Sequence, residues 1–126
     1  MYNIFMKRNQ STEDYLESIL LLSRESEFVH RVDVARKIGV SQPAVQKAIK
    51  ILQAEDYVEC DGLHIYLTAK GEAYASKIYE RHCIIREFLA LHGVNAVDAD
   101  GDACEFEHAV SDATFEMMKN YVEDKK

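Results

Sequence analysis

The chain has 126 residues, 48% of them apolar, and a net charge of −7, a size suited to one compact domain or a small domain with an appended one. Nothing approaches the roughly 20 apolar residues that cross a bilayer, no charged-then-apolar leader is present, and three cysteines form no disulfide framework, so the expected setting is a reducing cytoplasm with no membrane partner. The acidic balance excludes a generally basic nucleic-acid binder, but Arg31–Tyr57 carries five basic residues against three acidic and Arg81–Lys126 five against ten, which predicts one face for an anionic partner and another for cations or self-association.

Met1 to Gln10 shows no period and reads as a loose arm. Ser11 or Thr12 can cap a first helix, in which Tyr15, Leu16, Ile19, Leu20 and Leu22 follow helical spacing to about Glu25. Asp14 and Glu17 sit one turn apart at its start; taken alone, the first could be a capping residue and the second a surface glutamate. Val32 to Ile38 reads as a short helix that Gly39 ends. Ser41 is a good N-cap for a helix over Gln42 to Ala54, with Pro43 in its first turn, where a missing N–H does no harm. Val45, Ala48, Ile49 and Leu52 form its buried stripe and leave Gln42, Ala44, Gln46, Lys47 and Lys50 outward. Two helices joined by a tight glycine turn, the second polar and basic outside, form a helix-turn-helix pattern. Gln42 and Gln46 suit base edges, and Lys47 and Lys50 suit phosphate. A plain αα-hairpin is the alternative, but the pattern continues as a DNA-binding unit would. Asp56–Cys60 and Leu63–Leu67 alternate around Asp61-Gly62, a hairpin placed as the wing of a winged helix. Its tip has no Lys or Arg, so its phosphate contact should be weak.

Thr68 can cap a long helix from Ala69 to about Leu91, whose buried side holds Tyr74, Ile78, His82, Ile85, Phe88 and Leu89. Val94 to Gly101 reads as an acidic connector, Asp102 to Ser111 as a helix, Thr114 to Val122 as a last amphipathic helix, and Glu123–Lys126 as a frayed tail. On the helix expected over Asp102–Ser111, Cys104, Glu107 and His108 share one face, since residues three and four apart lie about 5–6 Å apart at Cβ. Thiolate, carboxylate and imidazole together suit a divalent first-row transition metal. By itself that face could equally be solvated and acidic. Asp14, Glu17 and His82 add three more candidate ligands from two other helices.

In order along the chain, Thr12-Glu13-Asp14-Tyr15-Leu16-Glu17, Ser41-Gln42-Pro43-Ala44-Val45, Leu67-Thr68-Ala69-Lys70-Gly71, Arg81-His82 and Cys104-Glu105-Phe106-Glu107-His108 resemble the diphtheria toxin repressor and manganese transport regulator family of metal-dependent transcriptional repressors. The resemblance runs from Ser11 to about Tyr121 and is to the short form without an SH3-like domain. It implies a mainly α fold with a small β-hairpin: a winged helix-turn-helix DNA-binding domain over 1–72 and a helical dimerisation and metal-binding domain over 73–126. It implies Asp14, Glu17, His82, Cys104, Glu107 and His108 as metal ligands, with Fe(II) or Mn(II) as the cofactor and Zn(II), Co(II) or Ni(II) able to bind in vitro. Cys104, Glu107 and His108 match the iron-type motif, and Asp14 with Glu17 the manganese-type pair. Members of the family place a second-metal carboxylate one turn after His82, where Ile85 and Arg86 stand here, and iron-type members carry a histidine at the position of Asp100, so one primary site is expected. Arg31, Ser41, Gln42, Pro43, Ala44, Gln46, Lys47 and Lys50 are the expected DNA-binding residues. The expected partners are a palindromic double-stranded operator near metal homeostasis genes and a second copy of the chain.

Two rival classes stand beside this one. A winged-helix regulator with no metal control would leave the acidic cluster a solvated face. An enzyme could use a Cys/His/Glu metal to activate water, but no second acid–base constellation is present, and no enzyme is expected.

Overall fold

The computed structural model describes the backbone of residues 2–126 and the side chains of residues 11–126. The elements, in chain order, are α1 (Tyr2–Glu25), β1 (Val29–His30), α2 (Arg31–Ile38), α3 (Gln42–Ala54), β2 (Val58–Asp61), β3 (His64–Leu67), α4 (Ala69–Leu91), α5 (Ala96–Phe106) and α6 (Asp112–Asp124). The chain divides into two compact units, the first comprising Arg8–Ser76 and the second holding Lys77–Lys126.

In the first unit, α1 presents Tyr15, Leu16, Ile19 and Leu20 to a core shared with Val34, Val45, Ile49, Leu52, Val58 and Ile65. Gly39, at φ 85, ends α2 in the left-handed conformation and donates its N–H to Ala35 O. The Ser41 hydroxyl accepts the Ala44 N–H at 3.2 Å, so the expected N-cap of α3 is in place. β2 and β3 pair antiparallel from Val58↔Leu67 to Asp61↔His64. The turn residues are therefore Gly62 and Leu63, one position later than the expected Asp61-Gly62. Gly62 has φ 63, and a glycine at the first central position suits a type II′ turn, which matches strand twist. A third strand, β1, pairs with β3 through Val29↔Ile65 and His30↔His64, so the wing is a three-stranded sheet in the order β1-β3-β2 rather than a bare hairpin. A two-residue strand carries no readable alternation, and Val29 is fixed there by burial.

Gly71 sits where α4 crosses β2. A Cβ at that position would lie 2.0 Å from Tyr57 O, so only glycine allows the approach. Thr68 Oγ1 accepts the Gly71 N–H at 3.0 Å as the expected cap, and donates to Asp56 O at 2.6 Å. Asp56 is held at φ 64, a left-handed conformation that aspartate tolerates better than most residues.

The chain start and the acidic connector also differ from expectation. α1 runs back to Tyr2, so the loose arm to Gln10 and the cap at Ser11 give way to continuous helix. No proline or glycine interrupts Tyr2–Ser11, and Asp14 accordingly lies within a helix, not at its cap. α5 begins at Ala96, where Asn95 accepts the Asp98 N–H at 2.9 Å, so most of the supposed connector is helical. α6 is capped by Ser111, which accepts the Thr114 N–H at 3.2 Å. The second unit buries Ile78, Ile85, Ala99, Ala103, Phe115 and Val122.

Candidate metal centre and DNA-facing helix

The helix expected to carry Cys104, Glu107 and His108 on one face stops at Phe106. Ala109 and Val110 both donate their N–H to Phe106 O, closing a turn, so Glu107 is the helix cap and His108 follows it in the turn. Cys104 and Glu107 nonetheless both face His82 of α4, and His108 pairs with Glu107. Cys104 Sγ lies 3.8 Å from His82 Nδ1. Glu107 Oε2 is 3.5 Å from the same nitrogen, and Glu107 Oε1 is 3.4 Å from His108 Nε2.

Arg81 holds that turn in place. Its Nη1 donates to Val110 O at 2.6 Å and reaches Glu107 O at 3.4 Å. Its Nη2 pairs with Asp112 at the start of α6, and the guanidinium lies 5.1 Å over the Phe115 ring. One residue of α4 thus fixes the backbone of the Glu107 turn, while the next, His82, faces its carboxylate.

Glu107 is 2% exposed, a carboxylate almost wholly out of water. Its burial pushes the carboxyl's pKa up, but the facing imidazoles of His108 and His82 outweigh that and hold it below the usual range. Even so, Glu107 Oε2 accepts no hydrogen bond among the described residues. A buried charged oxygen without a hydrogen-bond donor is costly unless a cation meets it. A buried carboxylate flanked by the imidazoles of His82 and His108 offers ligand types that fit a divalent transition metal.

Asp100 is a residue that the motif spacing alone did not single out. It lies one turn before Cys104 on α5, and its Oδ1 is 3.0 Å from His82 Nε2. Arg86 Nη1 lies 3.7 Å from the same Oδ1. Ligand atoms of His82, Asp100 and Cys104 all fall within 4.8 Å of one another. The i, i+4 spacing of Asp100 and Cys104 was the available signal. Asp14 and Glu17 are partly buried on α1 in the first unit, one turn apart.

On α3, Val45, Ile49 and Leu52 are buried, while Gln42, Lys47 and Lys50 are exposed and Ala44 is partly so, as the helical stripe required. Ser41 and Pro43 are exposed at its start. Gln46 accepts through Oε1 from Arg31 Nε, and Arg31 Nη2 lies 3.8 Å from Cys60 Sγ on β2. The base-reading candidate is thus tied to the start of α2 and to the wing. The wing tip presents exposed Leu63 and no lysine or arginine.

Two family models match the chain: the N-terminal DNA-binding domain of iron-dependent repressors over residues 8–63, and their metal-binding and dimerisation domain over residues 68–126. The transcriptional regulator MntR of Escherichia coli is 37% identical over 117 residues, covering 92% of this chain and 76% of that protein. An uncharacterized HTH-type transcriptional regulator of Methanocaldococcus jannaschii is 35% identical over 118 residues, covering 91% of this chain and 94% of that protein. Among solved structures, the manganese regulator SloR superposes with a TM-score of 0.78 at 36% identity; the match covers 89% of this chain and 53% of SloR, so the chain spans about half of that protein.

Proposed function

The chain belongs to the iron-dependent repressor family, and on that basis we propose that it is a divalent-metal-activated, DNA-binding transcriptional repressor that controls metal homeostasis genes in the cytoplasm. The observation that carries this proposal is the buried Glu107 Oε2, which has no hydrogen-bond partner among the described residues and lies 3.5 Å from His82 Nδ1, with His108 against the same carboxylate.

We assign His82, Cys104, Glu107 and His108 as ligands, with Asp14 and Glu17 of α1 completing the set. Bound there, Fe(II) or Mn(II) supplies the positive charge that these carboxylates and the Cys104 thiolate otherwise lack. The thiolate favours a softer ion and the two α1 carboxylates a harder one. The ligands must be deprotonated, so metal affinity falls as pH drops. Residues 1–72 act as the DNA-binding domain and 73–126 as the dimerisation and metal-binding domain. Tying α1 to the C-terminal helices sets the spacing of two recognition helices in a homodimer, which can then occupy both half-sites of a palindromic operator. Exposed Leu91, Val97, Phe106 and Met117 give the second unit apolar surface that a second copy would cover.

On DNA, α3 enters the major groove. Gln42 and Gln46 face base edges; Ser41, Pro43 and Ala44 bring the helix start against the duplex; Arg31, Lys47 and Lys50 meet phosphate. The family consists of regulators, and the site's groups are all used in holding a cation, so no catalytic role is assigned.

The test is binding to the promoter of the chain's own gene, under chelation and then with Mn(II) or Fe(II) added anaerobically. Binding should appear only with metal, and Glu107→Ala should lose it while keeping its fold by circular dichroism. Equal binding under chelation would leave a winged-helix regulator without metal control.

A further inference from the structure

His82 is 8% exposed and is contacted from two sides by different groups. Nδ1 faces Cys104 Sγ at 3.8 Å and Glu107 Oε2 at 3.5 Å. Nε2 faces Asp100 Oδ1 at 3.0 Å. An ionised carboxylate only accepts hydrogen bonds, so Nε2 carries the proton in that contact. Nδ1, on the other side of the ring, faces the thiol and the buried carboxylate. The ring of Tyr79 lies nearly parallel to that of His82, at 8° and 6.2 Å between centroids.

Arg86 decides what else Asp100 can do. Its guanidinium lies 3.7 Å from the Oδ1 that His82 uses, and a guanidinium keeps its charge at any working pH. A metal ion on Asp100 would have to approach a fixed positive charge. The His82, Asp100 and Cys104 atoms are close enough to suggest a three-ligand cluster, but the arginine makes Asp100 an orienting group instead.

We propose that Asp100, backed by Arg86, is a positioning residue that holds the His82 ring through Nε2 and so presents Nδ1 to the proposed metal centre. Carboxylate partners of this kind set the ring orientation and basicity of metal-binding histidines. The inference rests on the metal-binding function proposed above. Its experiment is Co(II) titration of the full chain, followed by the thiolate-to-metal absorption of Cys104, with the Asp100→Ala and Asp100→Asn variants. Asp100→Ala should weaken Co(II) binding about 10–100-fold with unchanged stoichiometry. Asp100→Asn should stay within a few-fold of the parent, because its amide oxygen still accepts the Nε2 hydrogen. Nitrogen NMR of His82 in the metal-free chain should show a hydrogen bond at Nε2 in the parent and Asp100→Asn, and its loss in Asp100→Ala. The proposal is overturned if Asp100→Ala binds as tightly as the parent, if Asp100→Asn falls as far as Asp100→Ala, or if either variant loses a whole metal equivalent. Failure of the parent to bind Co(II) would instead overturn the metal centre itself.

Discussion

Tyr74 donates its hydroxyl hydrogen to Glu13 Oε2 at 2.7 Å, joining α4 to α1 within the first unit. Its pKa is pushed above the usual phenol value, first by partial burial and then by the bond to Glu13. A raised folded pKa contributes stability that is complete below the unfolded value, about pH 10, and is lost as pH rises beyond it. Tyr74→Phe should therefore lower stability by about 1.5–3 kcal/mol at neutral pH, the range for one hydrogen bond to a charged group. Urea unfolding should show that difference shrinking above pH 10; a difference that persists unchanged at high pH would assign it to packing of the ring against Tyr57. Residue-scale contacts of this kind were hidden in the sequence. Glu13 and Tyr74 are 61 positions apart, and no local pattern links them. The same holds for Asp100 with His82, and for Arg81 with the carbonyls of Glu107 and Val110.

At the scale of elements, local chemistry was more informative. Gly39, Ser41, Pro43 and the stripe Val45–Ile49–Leu52 each act through nearest neighbours along one helix, and α2 and α3 stand where those residues place them. The Cys104 helix shows the limit of that reasoning. Cys104, Glu107 and His108 have helical spacing, yet α5 ends at Phe106 because the chain must turn to start α6, with Arg81 bonding the freed carbonyls. Gly71 is a tertiary requirement written as one small residue. Gly71→Ala, which would be favourable in an isolated helix, should instead destabilise the protein by about 1–3 kcal/mol, because the new methyl meets the Tyr57 carbonyl. Glu72→Ala, exposed on the next position, is the control and should be nearly neutral in the same denaturation series.

For the molecule as a whole, net charge −7 means that DNA affinity must come from a local set of cations and not from a general field. Lys47 and Lys50, exposed on α3, are the proposed centre of that set. Replacing either with alanine should reduce the slope of log affinity against log salt by about 0.9 for each phosphate left unneutralised, and should weaken binding nearly equally across operator variants. A change confined to one base position would assign that lysine to base readout instead.

The helix-turn-helix, the wing, the long linking helix and the residue types of a metal site could all be read along the chain, because caps, turns and apolar periodicity are set by residues within a few positions of one another. The order of the motifs also pointed to the family. Folding in three dimensions was needed to bring Glu107 to His82 from a turn, to complete the wing with β1, and to stand Asp100 and Arg86 behind His82. Those outcomes depend on which side chains distant segments bring together, and burial of Glu107 raises the energetic weight of the contacts its carboxylate makes.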